Sequence, residues 1–397
     1  MGKFKSPGPD GFQPVFYQQG WDVVGASVVK FVLEFFRTGY LPPEINDALV
    51  VLIAKVLKPE NITQFRPISL CNVLFKTITK VMVGRLKGVI TKLIGSAQTS
   101  FIPGKLSTDN IVVVQEVMHS MRRKKGVKGW MLLKLDLEKA YDRIRWDFLE
   151  DKLIAAGLSE NWVRWIMKCV EGPSMRLLWN GERTDAFKPL RGLRQGDPLS
   201  PYLFVLCLER LCHLIKASIA GKKWKPIKIS QTGPKLSHIC FADDLILFAE
   251  ASVEQIRVIR GVLERFCAAS GQKVSLEKSK IFFSKNVSRE MGKLISDESG
   301  IKATQDLGKY LGMPILHKRI NKDTFGEVLE RVSSKLSGWK GRTLSLVGRL
   351  TLTKAVLNSV PVHTMSTIKL PQSTLENLIK SLALFFGAAQ RRREGSI

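Results

Sequence analysis

The stretch Ser237-His238-Ile239-Cys240-Phe241-Ala242-Asp243-Asp244-Leu245-Ile246-Leu247-Phe248 constrains this chain more than any other, because it sets two adjacent carboxylates between two short apolar runs. Each run is short for a helix, so the segment predicts a hairpin with an acidic tip. Aspartate is also an ordinary turn residue whose side chain bonds nearby backbone, and alone the pair is punctuation. A second acidic strand end shifts that balance. Trp130-Met131-Leu132-Leu133-Lys134-Leu135-Asp136-Leu137 is an apolar strand closing on a carboxylate, followed by Glu138-Lys139-Ala140-Tyr141-Asp142. Three aspartates can then converge at adjacent strand ends. Hard cations such as Mg²⁺ take oxygen ligands and keep positions open for phosphates, and a pair of them stabilises both oxygens of an in-line phosphoryl displacement. The pattern points to nucleotidyl transfer.

Charge points the same way. Lys and Arg number 62 against 35 Asp and Glu, a net charge of +27 over 397 residues. Such a field draws polyanions and makes binding salt-sensitive, so nucleic acid is the natural partner and an anionic membrane surface the lesser one. The charges are spread along the chain, which suits a folded basic groove better than a disordered tail. No segment reaches the run of about 18 apolar residues that spans a bilayer, and Met1-Gly2-Lys3-Phe4 has no apolar stretch behind it to direct secretion. Cys71, Cys169, Cys207, Cys212, Cys240 and Cys267 lie mostly in apolar runs without a Cys-x-x-Cys pair, which predicts buried thiols in a reduced compartment. Cys207, Cys212 and His213 lack the ligand number and spacing of a zinc site.

Along the chain, residues 1–12 read as a basic loop held by Pro7, Gly8, Pro9 and Gly11. A helix follows with Val28, Val29, Phe31, Val32 and Phe35 on its apolar face, stopped by Gly39 and Pro42-Pro43. The pattern predicts a strand over 50–53, a loop carrying Phe65-Arg66-Pro67-Ile68-Ser69-Leu70, a helix over 74–86, a loop over 97–105 and a helix over 109–121. Helices at 146–156 and from about 159 to Gly172 come after the first acidic strand. Asn180-Gly181 is a strong hairpin signal between 175–179 and 183–187. Ser200-Pro201 is placed to cap a helix over 201–214. Ser252-Val253-Glu254-Gln255 reads as a capping box opening a helix with Ile256, Ile259, Val262, Leu263 and Phe266 on one face. With a strand over 281–283, the order across 130–284 fits an antiparallel sheet backed by helices. Helices at 325–336 and 346–357 flank a turn at Gly338-Trp339, and Ser373-Thr374-Leu375-Glu376 opens a last one.

These blocks spell a family. Phe241-Ala242-Asp243-Asp244 resembles the acidic hairpin of reverse transcriptases, and Asp136 with Ala140-Tyr141-Asp142 is similar to their first palm motif. Arg191-Gly192-Leu193-Arg194-Gln195-Gly196-Asp197-Pro198-Leu199-Ser200-Pro201 resembles the loop and helix between those motifs, and Lys309-Tyr310-Leu311-Gly312 resembles the primer-grip segment. Lys5-Ser6-Pro7-Gly8-Pro9-Asp10-Gly11, Phe65-Arg66-Pro67-Ile68-Ser69-Leu70, and Trp339 with Leu344-Ser345-Leu346-Val347-Gly348-Arg349 resemble non-LTR (LINE-type) retrotransposon polymerases, particularly those of plants. The blocks are colinear over nearly the whole chain.

The resemblance implies an α+β right-hand polymerase: fingers over 1–125, a palm with an antiparallel ferredoxin-like sheet over 126–315, and part of a helical thumb over 316–397. It implies that Asp136, Asp243 and Asp244 hold two Mg²⁺ ions, for which Mn²⁺ can substitute, with the Leu137 carbonyl as a further ligand. Tyr141 takes the steric-gate position that argues for dNTPs. Gln195 and Gly196 match a loop lying against template and incoming nucleotide, where a missing Cβ permits close approach. Arg66 and Lys55 match fingers positions that contact the triphosphate. Tyr310, Leu311 and Gly312 fall in the primer grip. Lys278 matches a segment that protonates pyrophosphate, although a surface lysine is the ordinary reading. Asp142 and Asp197 sit at helix starts, where capping explains them. His119, His213, His238, His317 and His363 show no pairing at catalytic spacing.

The expected activity is RNA-directed DNA polymerisation, extending a DNA primer on an RNA template with dNTPs and without a membrane. The rival expectation is an inactive RNA-binding remnant, against which the intact aspartate triad argues. An RNA-dependent RNA polymerase is disfavoured by Ala242 and Tyr141, and a group II intron maturase by the LINE-like blocks. Ser275 stands where the family usually has Asn. Upstream endonuclease and downstream cysteine-bearing segments of full-length relatives are not recognisable, and Ala388 to Ile397 leave the family pattern, so the chain reads as a fragment of a partial or decayed element. No cellular address is legible; retrotransposition would take it to chromosomal DNA in the nucleus.

Overall fold

In this computed structural model, which describes residues 1–230, 232–316, 325–336, 343–354, 362 and 364–387, the apolar runs pair into two four-stranded sheets. The expected turn at Gly338-Trp339, the end of the helix placed at 346–357 and the tail 388–397 lie outside the described residues. The first sheet comprises β1 (Ala48–Ala54), β2 (Phe65–Cys71), β4 (Met175–Trp179) and β5 (Glu182–Arg183), in the order β2-β1-β4-β5. The second comprises β3 (Trp130–Leu135), β8 (His238–Phe241), β9 (Asp244–Glu250) and β10 (Lys280–Phe283), in the order β10-β3-β9-β8. Two ribbons, β6 (Ile227–Lys228) with β7 (Lys235–Leu236) and β11 (Lys309–Tyr310) with β12 (Met313–Pro314), accompany them.

Every pairing in the second sheet is antiparallel, whereas β1 also runs parallel to β4 in the first. Burial explains why β3 and β9 take the centre. Side chains alternate between faces along a strand, and Met131, Leu133, Leu135, Leu245, Leu247 and Ala249 enter one core with the helix Ser200–Ala220. Leu132, Ile246 and Phe248 on the opposite face are equally buried. Each such side chain contributes about 1.5–3 kcal/mol. The helix Ser200–Ala220 packs in turn on Trp146–Ala155 and Val253–Ser270, the latter burying Ile256, Ile259, Val262, Leu263 and Phe266 as its periodicity predicts.

Three local expectations are corrected. Phe65–Cys71 is a strand, not a loop, and Pro67 pairs with Leu52. Proline is tolerated because β2 is an edge strand, where its missing N–H leaves no ladder bond unmade. Ser200 does not cap the following helix; it is already helical, and Asp197 Oδ1 instead accepts from the Leu199 N–H (3.0 Å). The capping box is half made. Ser252 Oγ accepts from the Gln255 N–H (3.2 Å), but the buried Gln255 side chain binds Lys225 N–H (2.7 Å) and the Lys223 carbonyl (2.8 Å). The Asn180-Gly181 hairpin forms as expected, with both residues at positive φ (51° and 89°).

Two compact units divide the chain: Met1–Lys105 with Gly126–Ala303, and Leu106–Lys125 with Thr304–Ile397. The first holds both sheets. The helix Ser107–Arg123 goes with the second unit, where it carries the β11–β12 ribbon. Gln115 Nε2 donates to the Pro314 carbonyl (2.8 Å), Gln115 Oε1 accepts from the Leu316 N–H (3.2 Å), and Asn110 Nδ2 donates to the Tyr310 hydroxyl (3.2 Å).

Within the first unit the loop before helix Ser200–Ala220 is tied down by a buried cation. Arg194 donates to the carbonyls of Asn46 (2.8 Å) and Cys169 (2.6 Å), and its guanidinium lies 4.1 Å from the Phe75 ring centroid. Its charge also steadies the buried Asp197, whose carboxyl burial pushes upward. Removing the guanidinium orphans two buried carbonyls and takes away a charge that opposes the rise of the Asp197 carboxyl, so Arg194→Met should cost about 3–5 kcal/mol. Thermal melts should show that loss, and a second change, Asp197→Leu, should recover part of it; an unchanged melting temperature in Arg194→Met would contradict the assignment.

Candidate active site

Antiparallel register pairs Leu135 with Leu245, which brings Asp136, the next residue of its strand, beside Asp244. Phe241 pairs with Asp244, leaving Ala242 and Asp243 as the turn. Register alone therefore gathers Asp136, Asp243 and Asp244 at one end of the central strands. Ala242 lies at φ 50°, a left-handed conformation that costs a residue bearing a Cβ about 1–2 kcal/mol.

Their electrostatics are those of neighbouring carboxylates. Asp243 is exposed, and Asp136 and Asp244 are half-buried. Burial raises the Asp136 carboxyl, Lys278 opposes the rise and Asp243 adds to it. Asp244 is raised by burial and then by Asp243, with Lys134 opposing and Asp136 adding. Like charges that raise one another are relieved by a shared cation. Among the described residues no three His, Cys, Asp or Glu side chains are drawn into a preassembled cage.

A fourth oxygen has a defined direction. Leu137 faces Val274 in an isolated antiparallel bridge, but the bonds come from its neighbours: Ser275 N–H donates to the Asp136 carbonyl (2.8 Å), and Glu138 N–H to the Lys273 carbonyl (2.9 Å). In such a non-hydrogen-bonded pair the Leu137 N–H and C=O point away from the partner strand. That is the β9 side, where Asp244 lies. Ser275 thus makes its contact through backbone, which any residue type can do. The all-oxygen set of Asp136, Asp243, Asp244 and the Leu137 carbonyl fits a hard divalent cation.

Tyr141, in the short helix Ala140–Arg143, stacks on Phe204 with centroids 4.7 Å apart and planes at 9°. Burial raises its phenol, and the charge of Asp243 adds to the rise, so the ring neighbours the acidic tip. Gln195 Nε2 donates to Asp142 Oδ1 (3.4 Å), and the Gln195 carbonyl accepts from the Ser69 N–H (2.7 Å). Gly196 lies at φ 126°, where a Cβ would sit 2.4 Å from the Ser69 carbonyl oxygen; its close approach is to β2 of this chain. A cavity of about 230 Å³ opens beside Asp142 and Gln195, walled by Ser69, Met175 and Phe187. Arg66, opposite Ile53 in the β1–β2 ladder, and Lys55 are exposed. Lys55 Nζ donates to the Thr63 carbonyl (3.0 Å), and its charge reaches Asp142. Tyr310, Leu311 and Gly312 belong to the second unit, where Leu311 (φ 50°) and Gly312 (φ 82°) make the ribbon turn.

One residue at the site escaped sequence reasoning. Gln98, in a stretch expected as an ordinary loop, accepts at Oε1 from the Ala242 N–H (3.1 Å). Nothing in local periodicity marks it, because the contact spans the fold.

Residues 56–315 match the family model described as reverse transcriptase (RNA-dependent DNA polymerase). The chain belongs to the reverse transcriptase family. Members of that family use divalent metal ions, in keeping with the oxygen donors above. The chain is 30% identical over 355 residues to the 149 kDa protein of transposon TX1 from Xenopus laevis, covering 87% of this chain and 26% of that protein. It is 30% identical over 273 residues to the Pol polyprotein of the type-2 retrotransposable element R2DM from Drosophila melanogaster, covering 69% and 24%. It thus spans about a quarter of these curated relatives. Among solved structures, apo telomerase from Candida tropicalis superposes with a TM-score of 0.47 at 12% identity, covering 92% of this chain and 67% of that one. No helix among the described residues is long and apolar enough to cross a membrane.

The environment of Asp142 yields a pH prediction. Burial raises its carboxyl above the unfolded value of about 3.9. The native state then binds the proton more tightly than the unfolded state, so the stability contribution of Asp142 is lost as pH climbs from that value through the raised one. Asp142→Asn, which keeps an oxygen for Gln195, should melt higher than wild type at pH 7 and converge with it near pH 3. Melting temperatures that differ equally across that range would rule this out.

Proposed function

We propose that this chain is the polymerase core of a LINE-type retrotransposon, an RNA-directed DNA polymerase that extends a DNA primer on an RNA template with dNTPs. The observation that carries the reading is the convergence, by strand register, of Asp136, Asp243 and Asp244 beside the stacked ring of Tyr141. Two Mg²⁺ ions, or Mn²⁺ in their place, held by these carboxylates and the Leu137 carbonyl would activate the primer 3′-hydroxyl and neutralise the triphosphate and leaving pyrophosphate.

The chain's own residues have the remaining tasks. Asp136 and Asp244, whose carboxyls burial raises, would hold the cations through their carboxylate oxygens. Tyr141, backed by Phe204, presents a rigid face against a ribose 2′-hydroxyl. Arg66 and Lys55 offer exposed cations to the triphosphate, Arg66 as a planar fork. Gln195 and Gly196 border the template and nucleotide, and the turn of Tyr310, Leu311 and Gly312 grips the primer. Residues 1–125, 126–315 and 316–397 then serve as fingers, palm and partial thumb. The net charge of +27 favours a nucleic-acid hybrid over a small neutral substrate.

Primer extension on an RNA template at low salt tests the proposal. Asp136→Asn and Asp243→Asn should each lower extension by about two to three orders of magnitude while hybrid binding holds. Wild-type extension by either variant would remove that carboxylate from the site; a wild-type chain that binds hybrid without extending it would leave an RNA-binding remnant. Tyr141→Val should raise ribonucleotide incorporation relative to dNTPs by about 10- to 200-fold. An unaltered sugar preference would take Tyr141 out of the gate.

A further inference from the structure

We propose that Gln98 is the positioning residue of the acidic tip, holding Ala242 in its left-handed turn so that Asp243 and Asp244 meet divalent cations; the inference rests on the polymerase reading of this site. Gln98 is 1% exposed. Its Oε1 accepts two backbone N–H groups, Ala242 at 3.1 Å and Ser100 at 2.9 Å. Those donors fix the amide, since the flipped rotamer would set NH₂ against two N–H groups.

The backbone around Gln98 is itself anchored to the catalytic hairpin. The Cys240 N–H donates to the Ala97 carbonyl (2.8 Å) and the Thr99 N–H to the Cys240 carbonyl (3.2 Å), so 97–99 runs as a parallel strip beside β8. This covers the free edge of the second sheet. Lys105 Nζ fastens the strip from below, donating to the carbonyls of Gly95 (2.8 Å) and Gln98 (2.7 Å). The Gln98 side chain therefore reaches Ala242 from a fixed base.

Two features separate this from ordinary loop closure. Ala242 carries a Cβ in a conformation that persists only where surroundings hold it, and Gln98 makes the contact to its N–H. Gln98 Nε2, in contrast, is buried without a hydrogen-bond partner among the described residues. A desolvated donor without an acceptor is unfavourable, so packing alone does not account for glutamine here. The two bonds accepted by its oxygen do.

The test uses the full chain with Gln98→Met, which keeps the volume and removes both accepted bonds, and Gln98→Glu, which keeps an acceptor oxygen. Amide hydrogen exchange across 238–248 and Mn²⁺ affinity without substrate are read beside kcat and KM for primer extension. In Gln98→Met the Ala242 amide should exchange at least about tenfold faster, Mn²⁺ should bind about 10- to 100-fold more weakly, and kcat should fall with KM for the hybrid unchanged. Gln98→Glu should restore the protection. Wild-type exchange and Mn²⁺ affinity in Gln98→Met would overturn the proposal, as would failure of Gln98→Glu to protect Ala242 if Gln98→Met does not fold. A wild-type chain that fails to extend primers overturns the polymerase reading alone, because exchange and Mn²⁺ binding still decide the role of Gln98.

Discussion

The pairing of β3 with β9 is the constraint on which the site depends. Leu135 opposite Leu245 sets Asp136 against Asp244, and the same ladder carries the apolar residues of both strands into the core. A slip of one residue would turn every side chain to the opposite face and carry Asp136 out of line with the hairpin. The core thus specifies where the carboxylates go. Burial first, and the neighbouring carboxylates after it, raise the carboxyls of Asp136 and Asp244 and oppose the arrangement locally, but several fully buried aliphatic side chains outweigh this. The proposed chemistry sits at the end of the strands that carry the buried core.

A second constraint joins this sheet to the other. The loop 191–197 is bonded on both sides: Gly192 N–H to the Ile144 carbonyl (2.7 Å), Leu193 N–H to the Tyr141 carbonyl (2.8 Å), and the Gln195 carbonyl to the Ser69 N–H (2.7 Å). Arg194 completes it from within, reaching Asn46 and Cys169. Tyr141 is therefore held twice, by its carbonyl to this loop and by its ring to Phe204. Gly192 and Gly196 have positive φ, and a Cβ on either would strike backbone oxygen, of Asp142 and Ser69 respectively. Glycine at these two positions is needed for the chain to approach itself this closely.

What the sequence made legible is what local pattern encodes. The acidic hairpin, the Asn180-Gly181 turn, the apolar face of helix Val253–Ser270 and the burial of every thiol except the half-buried Cys267 follow from spacing and residue type. Where reading failed, a distant partner decided the outcome. Pro67 argues against a strand until β2 is known to be an edge. Gln255 looks like the return half of a capping box until Lys223 and Lys225 claim its side chain. Asp142 reads as a helix-start residue until the cavity and Gln195 are seen beside it.

Gln98 shows the limit of local reading most plainly. Its immediate neighbours, Ala97 and Thr99, give no period, and its partner Ala242 lies across the fold. Yet the demand was present in the other stretch. A two-residue hairpin turn favours Gly or Asn where φ is positive, and Phe241-Ala242-Asp243-Asp244 offers alanine. An alanine in that place needs support from outside the hairpin, and β8 has a free edge on which support can dock. The strain at Ala242, the β8 edge that residues 97–99 cover and the buried amide of Gln98 are three parts of one requirement: a sheet that ends in like charges must hold its last turn from outside.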